Sequence, residues 1–356
     1  MRIAQVAPLI ESVPPMAYGG TERVVSYLTE ELVRQGHDVT LFASGDSTTA
    51  ARLVPVTPRA LRLAEDIVDP VAHQVVELER VAAQAGRFDV IHWHLDFFPF
   101  PMGRRLAIPQ VTTLHGRLDI PDLQPVYDEF GDMAVVSISD DQRAPLPQAG
   151  WVGTVHHGLP PNEFQVSEEP GDYLVFLGRI SPEKRADRAV EVARRAGMTL
   201  RIGAKVDPVD AAYFEENVEP LLAHDHVEWV GEVAGQDKAD LLRGAAALLF
   251  PIDWAEPFGL VMIESMACGT PVIAYRSGSV PEVVDDGVTG FIVGSIDESV
   301  EAVRRLGELD RGAVRRRFDE RFTAERMVHD YLAIYERLLA GFDAAPGGRA
   351  FVTAGA

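Results

Sequence analysis

The sequence predicts an α/β protein built from two tandem parallel-sheet domains. Three observations carry this. Short apolar runs alternate with amphipathic stretches through the first half, a second such set begins at Tyr173, and a Pro-, Gly- and acid-rich stretch separates the two. Alternation of this kind lays parallel strands side by side with helices over their faces. At 356 residues the chain is long enough for two separate cores.

In the first set Ile3–Ala7, Val39–Ala43, Val90–His92, Gln110–Leu114 and Ala134–Ile138 read as strands, and Thr21–Arg34 and Pro70–Ala85 as helices. In the second, strands are expected at Tyr173–Gly178, Thr199–Ile202, Val227–Val230, Ala245–Phe250, Pro271–Ala274 and Gly290–Val293. Helices are expected between them, at Pro182–Ala196 and Asp297–Leu306. Residues 1–160 thus form one Rossmann-like domain and 171–322 another, joined by a linker between Gly158 and Asp172. Open sheets of this type bind ligands beyond the carboxyl ends of their strands. Residues 323–340 read as one amphipathic helix, and the Gly/Ala-rich 341–356 as a frayed tail.

Composition narrows the function. A net charge of −21 and a pI near 4.8 argue against nucleic acid as a partner. The acidity also argues against broad adsorption to anionic membranes, while leaving peripheral contact through a local basic patch such as Arg315–Arg317 open; a solvated helix face explains that cluster as well. Cys268 is the single cysteine, so neither a disulfide nor a cysteine metal cage can form, and its apolar setting reads as core. No signal peptide and no run long enough to cross a bilayer is found, which points to a cytoplasmic protein. Lys184, Lys205 and Lys238 are the only lysines, so any phosphate site must be built locally.

Chemistry concentrates at turns after strands. Glu256-Pro-Phe-Gly-Leu-Val-Met-Ile-Glu264 follows an apolar strand; proline and glycine keep Glu256 in the loop, while Glu264 rides the helix that begins near Gly259. The unpaired N–H groups of such a first turn suit phosphate, and flanking carboxylates suit hydroxyl-rich ligands. Gly178-Arg-Ile-Ser-Pro-Glu-Lys184 closes the first strand of the second domain, and Arg179 and Lys184 could together neutralise a diphosphate. Gly19-Gly20-Thr21-Glu22 follows the first strand of the chain, where the glycines admit close approach of a ligand and a plain helix cap is the competing explanation. His115 stands at another strand's carboxyl end. His92-Trp-His94-Leu-Asp96 has the spacing of a metal motif similar to that of metallo-β-lactamase-like hydrolases, which continue with a histidine where this chain has Phe97; the reading adopted assigns no metal. The phenylalanines after it fit core packing or an acceptor surface.

The glycine pair, Gly-Arg-x4-Lys and Glu-x7-Glu together resemble the pattern of retaining family 4 glycosyltransferases of the glycosyl transferases group 1 superfamily, over roughly Arg2 to Leu339. That resemblance implies the GT-B arrangement: two Rossmann-like domains facing across a cleft, the first on the acceptor side, the second binding a nucleotide sugar, with the final helix crossing back to the first. It further implies that Arg179 and Lys184 bind the donor diphosphate, Glu264 the ribose, and Glu256 the transferred sugar. Phe258, Gly259 and Leu260 would offer backbone N–H groups, Gly19 and Gly20 would complete the donor site, and His115 would lie beside the sugar. Glu22, His92 and His94 fall on the acceptor side. His156-His157 stands where many relatives have Asn-Gly, a departure that leaves its role open. The implied reaction is metal-independent transfer, with retention, from a nucleoside diphosphate sugar to an unidentified acceptor hydroxyl, without cofactor. An epimerase or phosphorylase on the same scaffold, and a non-catalytic nucleotide-sugar binder, are the competing readings. Oligomeric state is not set by the sequence.

Overall fold

The computed structural model describes residues 1–17, 19–64 and 67–344. The chain divides into two compact units, Met1–Gly158 with the segment from Ala324 onward, and Leu159–Thr323. No helix among the described residues is long and apolar enough to cross a membrane.

The first unit holds a seven-stranded parallel sheet over the described residues: β1 (Arg2–Val6), β2 (Asp38–Ser44), β3 (Arg52–Thr57), β4 (Val90–Trp93), β5 (Gln110–Thr113), β6 (Val135–Ser137) and β7 (Trp151–Thr154), in the order β3-β2-β1-β4-β5-β6-β7. Inner strands are buried on both faces, so they read as apolar runs. Ile3, Val6, Leu41, Phe42, Ile91 and Trp93 are fully enclosed. The two edge strands escaped the sequence reading for a physical reason. Pro55 interrupts β3 and Gly153 weakens β7, and both residues are tolerated chiefly at edges or bulges. The helix Gly20–Arg34 packs against the C-terminal helix Ala324–Ala344, which therefore belongs to this unit. That helix runs through residues 341–344, part of the expected tail; residues 345–356 lie outside those described.

One residue in this unit opposes its stability. Glu77, on the helix Pro70–Ala82, is fully buried, and neither carboxylate oxygen has a hydrogen-bond partner among the described residues. Burial alone pushes its pKa well above the usual carboxylate range. Glu77→Met conserves shape and removes the orphaned group. Thermal unfolding at pH 7.5 should show the variant more stable by ~1–3 kcal/mol; a lower melting temperature would contradict this account.

The second unit holds a six-stranded parallel sheet over the described residues, ordered β10-β9-β8-β11-β12-β13: β8 (Tyr173–Arg179), β9 (Thr199–Lys205), β10 (Val227–Gly231), β11 (Ala247–Phe250), β12 (Val272–Tyr275) and β13 (Gly290–Val293). Its helices include Ala186–Ala196, Gly235–Arg243, Leu260–Ala267, Ile296–Arg304 and Arg311–Arg321. The first of these starts four residues later than Pro182 suggests. Residues 182–184 form a turn, and Arg185 adopts a left-handed conformation with φ of 55° before the helix begins.

The segment read as a linker is strapped to this unit. Buried Arg311 donates to the carbonyls of Ser167, Ala245 and Arg243 and to Thr270 Oγ1. Arg315 donates to the carbonyls of Pro161, Phe164 and Ala267. Arg315 is therefore a structural clamp, which corrects both readings of the Arg315–Arg317 cluster for that residue. Cys268 is fully buried, and burial pushes its thiol up to about 12, as a core residue requires.

In each sheet the strand order reverses beside the unit's first strand, with β2 and β4 flanking β1 and β9 and β11 flanking β8. Loops leaving such a point diverge and open a crevice for ligand. The candidate residues cluster in those loops.

Candidate active site

In the second unit, β8 ends at Arg179 and β11 at Phe250, adjacent strands at the reversal point. The turn after β8 is closed by Lys184 N–H donating to Ser181 O at 3.1 Å, and it is tied to the β11 loop by Asp253 N–H donating to Glu183 O at 2.8 Å. This join brings Lys184 to Glu256. The ammonium pairs with Glu256 Oε2, and Trp254 Nε1–H donates to the same oxygen at 3.0 Å. The ammonium also lies 5.5 Å from the Phe250 ring centre and 5.2 Å from that of Trp254, within cation–π range. Glu256 Oε1 has no partner among the described residues.

The Glu256 loop is held from behind. Ser279 N–H donates to Glu256 O at 3.0 Å, Ser277 Oγ to Trp254 O at 2.6 Å, and Ser279 Oγ to Phe258 O at 2.8 Å. Gly278, with φ of 55°, is obligatory there, since a Cβ would stand 2.3 Å from Glu256 N. Gly259, with φ of 78°, turns the chain into the helix Leu260–Ala267, and its would-be Cβ lies 3.4 Å from Glu256 Cγ. The N–H groups of Gly259, Leu260 and Val261 have no protein partner among the described residues. Phe258 is buried against Phe322, so only its backbone could meet a ligand. A cation, a carboxylate and a bare helix N-terminus thus adjoin one another, a setting for a phosphate bearing a hydroxyl-rich group.

Glu264 is buried on that helix and pairs with Lys238 at 2.5 Å. Each acid therefore has its own lysine, which suits two separate binding carboxylates and not one acid–nucleophile couple. Arg179 is placed differently. Its guanidinium donates to Glu183 at 2.6 Å and lies 3.5 Å from Asp210 and 4.0 Å from Asp207, while Lys205 pairs with Asp207 at 2.8 Å. Arg179 and Lys184 are thus held by different carboxylates on either side of one turn.

In the first unit, the loop after β1 leads into the helix Gly20–Arg34. A Cβ on Gly19 would stand 2.7 Å from Pro15 Cβ, so packing within the loop already requires this glycine. Glu22 is buried in the first turn, and burial raises its pKa, opposed by the backbone N–H groups of Glu22 and Glu11. Gly19, Gly20 and Glu22 all lie at the start of that helix.

The histidines form one cluster at the ends of β4 and β5. His92 Nδ1 lies 2.7 Å from the Tyr335 hydroxyl and its Nε2 2.7 Å from Thr113 Oγ1, which in turn meets the Tyr331 hydroxyl at 2.9 Å. Fully buried, with both nitrogens engaged, His92 cannot touch an acceptor and acts as scaffold; this corrects its acceptor-side reading. His94 bridges Gln5 Oε1 at 2.8 Å and His115 Nε2 at 2.9 Å. Gln5 Nε2 donates to Tyr335. With Gln5 Oε1 accepting from His94 Nε2–H, His94 Nδ1 accepts from His115 Nε2–H, and His115 Nδ1 is left as an unpartnered acceptor. His157 stacks on His115 at 5.4 Å. Burial lowers the pKa of all four histidines, that of His115 to about 3, so the cluster is neutral at pH 7. Asp96, at φ of 49°, accepts the His115 backbone N–H, and burial raises its pKa to about 6.

Sequence reasoning missed Lys238, Trp254, the Ser277–Ser279 support, and the Gln5, Thr113, Tyr331 and Tyr335 network. Ser-Gly-Ser directly after an expected strand was the one legible signal among these.

Two family models match: Glycosyltransferase Family 4 over residues 18–140 and Glycosyl transferases group 1 over residues 161–323. The chain belongs to the family 4, group 1 glycosyltransferases. A D-inositol 3-phosphate glycosyltransferase of Saccharomonospora viridis is 26% identical to it, across 91% of this chain and 90% of that one. Among solved structures, AviGT4, a glycosyltransferase involved in avilamycin A biosynthesis, aligns with a TM-score of 0.72 and 26% identity over 96% of this chain and 98% of its own. Sucrose-phosphate synthase from Thermosynechococcus elongatus aligns with a TM-score of 0.76 and 20% identity over 96% and 99%. The fold is thus of the GT-B type seen in this family, and the protein is a glycosyltransferase acting on a sugar donor and an acceptor.

Proposed function

We propose that this enzyme moves a sugar from a nucleoside diphosphate sugar to an acceptor hydroxyl, with retention and without a metal ion. The observation that carries the reading is the junction of Lys184, Glu256 and the unpartnered N–H groups of Gly259, Leu260 and Val261. The hard step in such a transfer is departure of the diphosphate. Preorganised cations and amide dipoles stabilise that charge without a metal. Lys184 and the helix N-terminus fill this role directly, and Arg179 adds charge once it leaves Glu183. Glu256 Oε1 accepts a hydroxyl of the transferred sugar, and Glu264 accepts the ribose hydroxyls. His115 is kept neutral by burial and is fixed by His94. Retention is the course implied by family membership; the leaving phosphate then assists same-face attack.

A panel of UDP-, GDP- and ADP-sugars tests the reading by thermal stabilisation and slow donor hydrolysis. Inositol 3-phosphate, named by the Saccharomonospora relative, joins the acceptors tried. One donor should stabilise the protein and turn over, and Glu256→Ala should abolish turnover while nucleotide binding persists. Undiminished turnover in Glu256→Ala would refute the assignment.

A further inference from the structure

Lys184 has two claimants. Its ammonium pairs with Glu256 Oε2, yet the glycosyl-transfer reading, on which this inference rests, requires the same ammonium at the diphosphate. Its side chain is only 17% exposed and that of Glu256 11%, so the pair is sheltered and each partner needs a replacement when they part. For Lys184 the replacement is the phosphate. For Glu256 one donor is already in place, the Trp254 Nε1–H at 3.0 Å on the same oxygen. The Trp254 backbone is itself fixed by Ser277 Oγ donating to its carbonyl at 2.6 Å.

We propose that Lys184 is handed from Glu256 to the diphosphate as donor binds, and that Trp254 is the positioning residue that then keeps Glu256 aimed at the sugar. Glu256 holds the ammonium until the diphosphate takes it. Trp254 holds Oε2, so Oε1 stays directed at the sugar hydroxyl throughout. The handover also moves a cation away from an indole face, which gives the step an optical signature.

Three measurements test this, using the intact chain and UDP, GDP and ADP with their glucose conjugates. Glu256→Gln removes the carboxylate that competes for Lys184, so the diphosphate that binds best should bind this variant about three- to tenfold more tightly than wild type. Trp254→Phe keeps an aromatic face and loses the N–H. It should lower kcat about tenfold, the worth of one hydrogen bond, while KM and the diphosphate Kd stay within about twofold. Trp254→His, which restores a ring N–H donor, should recover part of kcat. Diphosphate should shift the tryptophan emission of wild type, and the shift should be absent in Trp254→Phe. Weaker diphosphate binding by Glu256→Gln, or an unchanged kcat in Trp254→Phe, would overturn the handover while leaving glycosyl transfer standing. A wild type that binds a diphosphate yet turns over none of the conjugates overturns the glycosyl-transfer reading and this inference with it.

Discussion

Lys184→Met should lower kcat/KM by on the order of 10²–10³, the cost seen when one preorganised donor is removed from a developing anion. The effect follows from position: the ammonium is sheltered beside two aromatic rings, where charge interactions are stronger than in water. Removing Lys184 also leaves Glu256 without its cation, which destabilises the site for reasons unrelated to catalysis. The double variant Lys184→Met/Glu256→Gln removes both charges, so its melting temperature should approach wild type while turnover stays lost. Arg179→Met should cost less, because three carboxylates already surround that guanidinium. A kcat/KM for Lys184→Met within tenfold of wild type would count against the diphosphate assignment.

The second large effect is acid lability of the first unit. His92, His94, His115 and His157 are all held neutral, with burial the main cause. A folded-state pKa below the unfolded value means stability is full above about pH 6.5 and is lost as pH falls below it. Asp96, with its pKa near 6, and Glu77 and Glu22, also raised by burial, work in the opposite sense, because they take up protons in the fold. With His37, whose pKa burial also lowers, the histidines outnumber the three carboxyls, so unfolding takes up protons near pH 5.5. The stability should therefore fall between pH 6 and 5, by about 1.4 kcal/mol per pH unit for each net proton taken up. Hydrogen exchange at pH 5.5 should show the β1, β4 and β5 amides opening sooner than at pH 7.5. Equal protection at the two pH values, once intrinsic rates are corrected, would contradict this.

Much of the fold was legible because inner strands of a parallel sheet are apolar throughout. Ile3–Ala7 and Tyr173–Gly178 are recognisable for that reason, and Gly269-Thr270-Pro271 is a stop pattern directly after the helix Leu260–Ala267. What failed depended on context that a local window does not hold. Pro182 signals a helix start, yet the left-handed Arg185 delays it. The arginines at 311 and 315 look like surface charge until the carbonyls they satisfy are in view.

The site divides in the same way. Lys184, Glu256 and Gly259 announce themselves through turn chemistry after apolar strands, and the structure places them side by side. Lys238 and Glu264 meet across two helices, 26 residues apart, with no local pattern to connect them. Gln5 and Tyr335 are separated by 330 residues, and only closure of the C-terminal helix onto the first sheet lets them share a hydrogen bond. His92 was placed with His94 on the acceptor side, and His-x-His does point alternate residues to the same side. An inner strand is enclosed on both faces, and there Tyr335 and Thr113 hold His92.

The most direct test is a crystal structure with the bound nucleoside diphosphate. Its distal phosphate should lie about 3 Å from Lys184 Nζ and from the amide nitrogens of Gly259 or Leu260, with Glu256 released to Trp254 alone. A phosphate bound elsewhere, with Lys184 still paired to Glu256, would contradict the account.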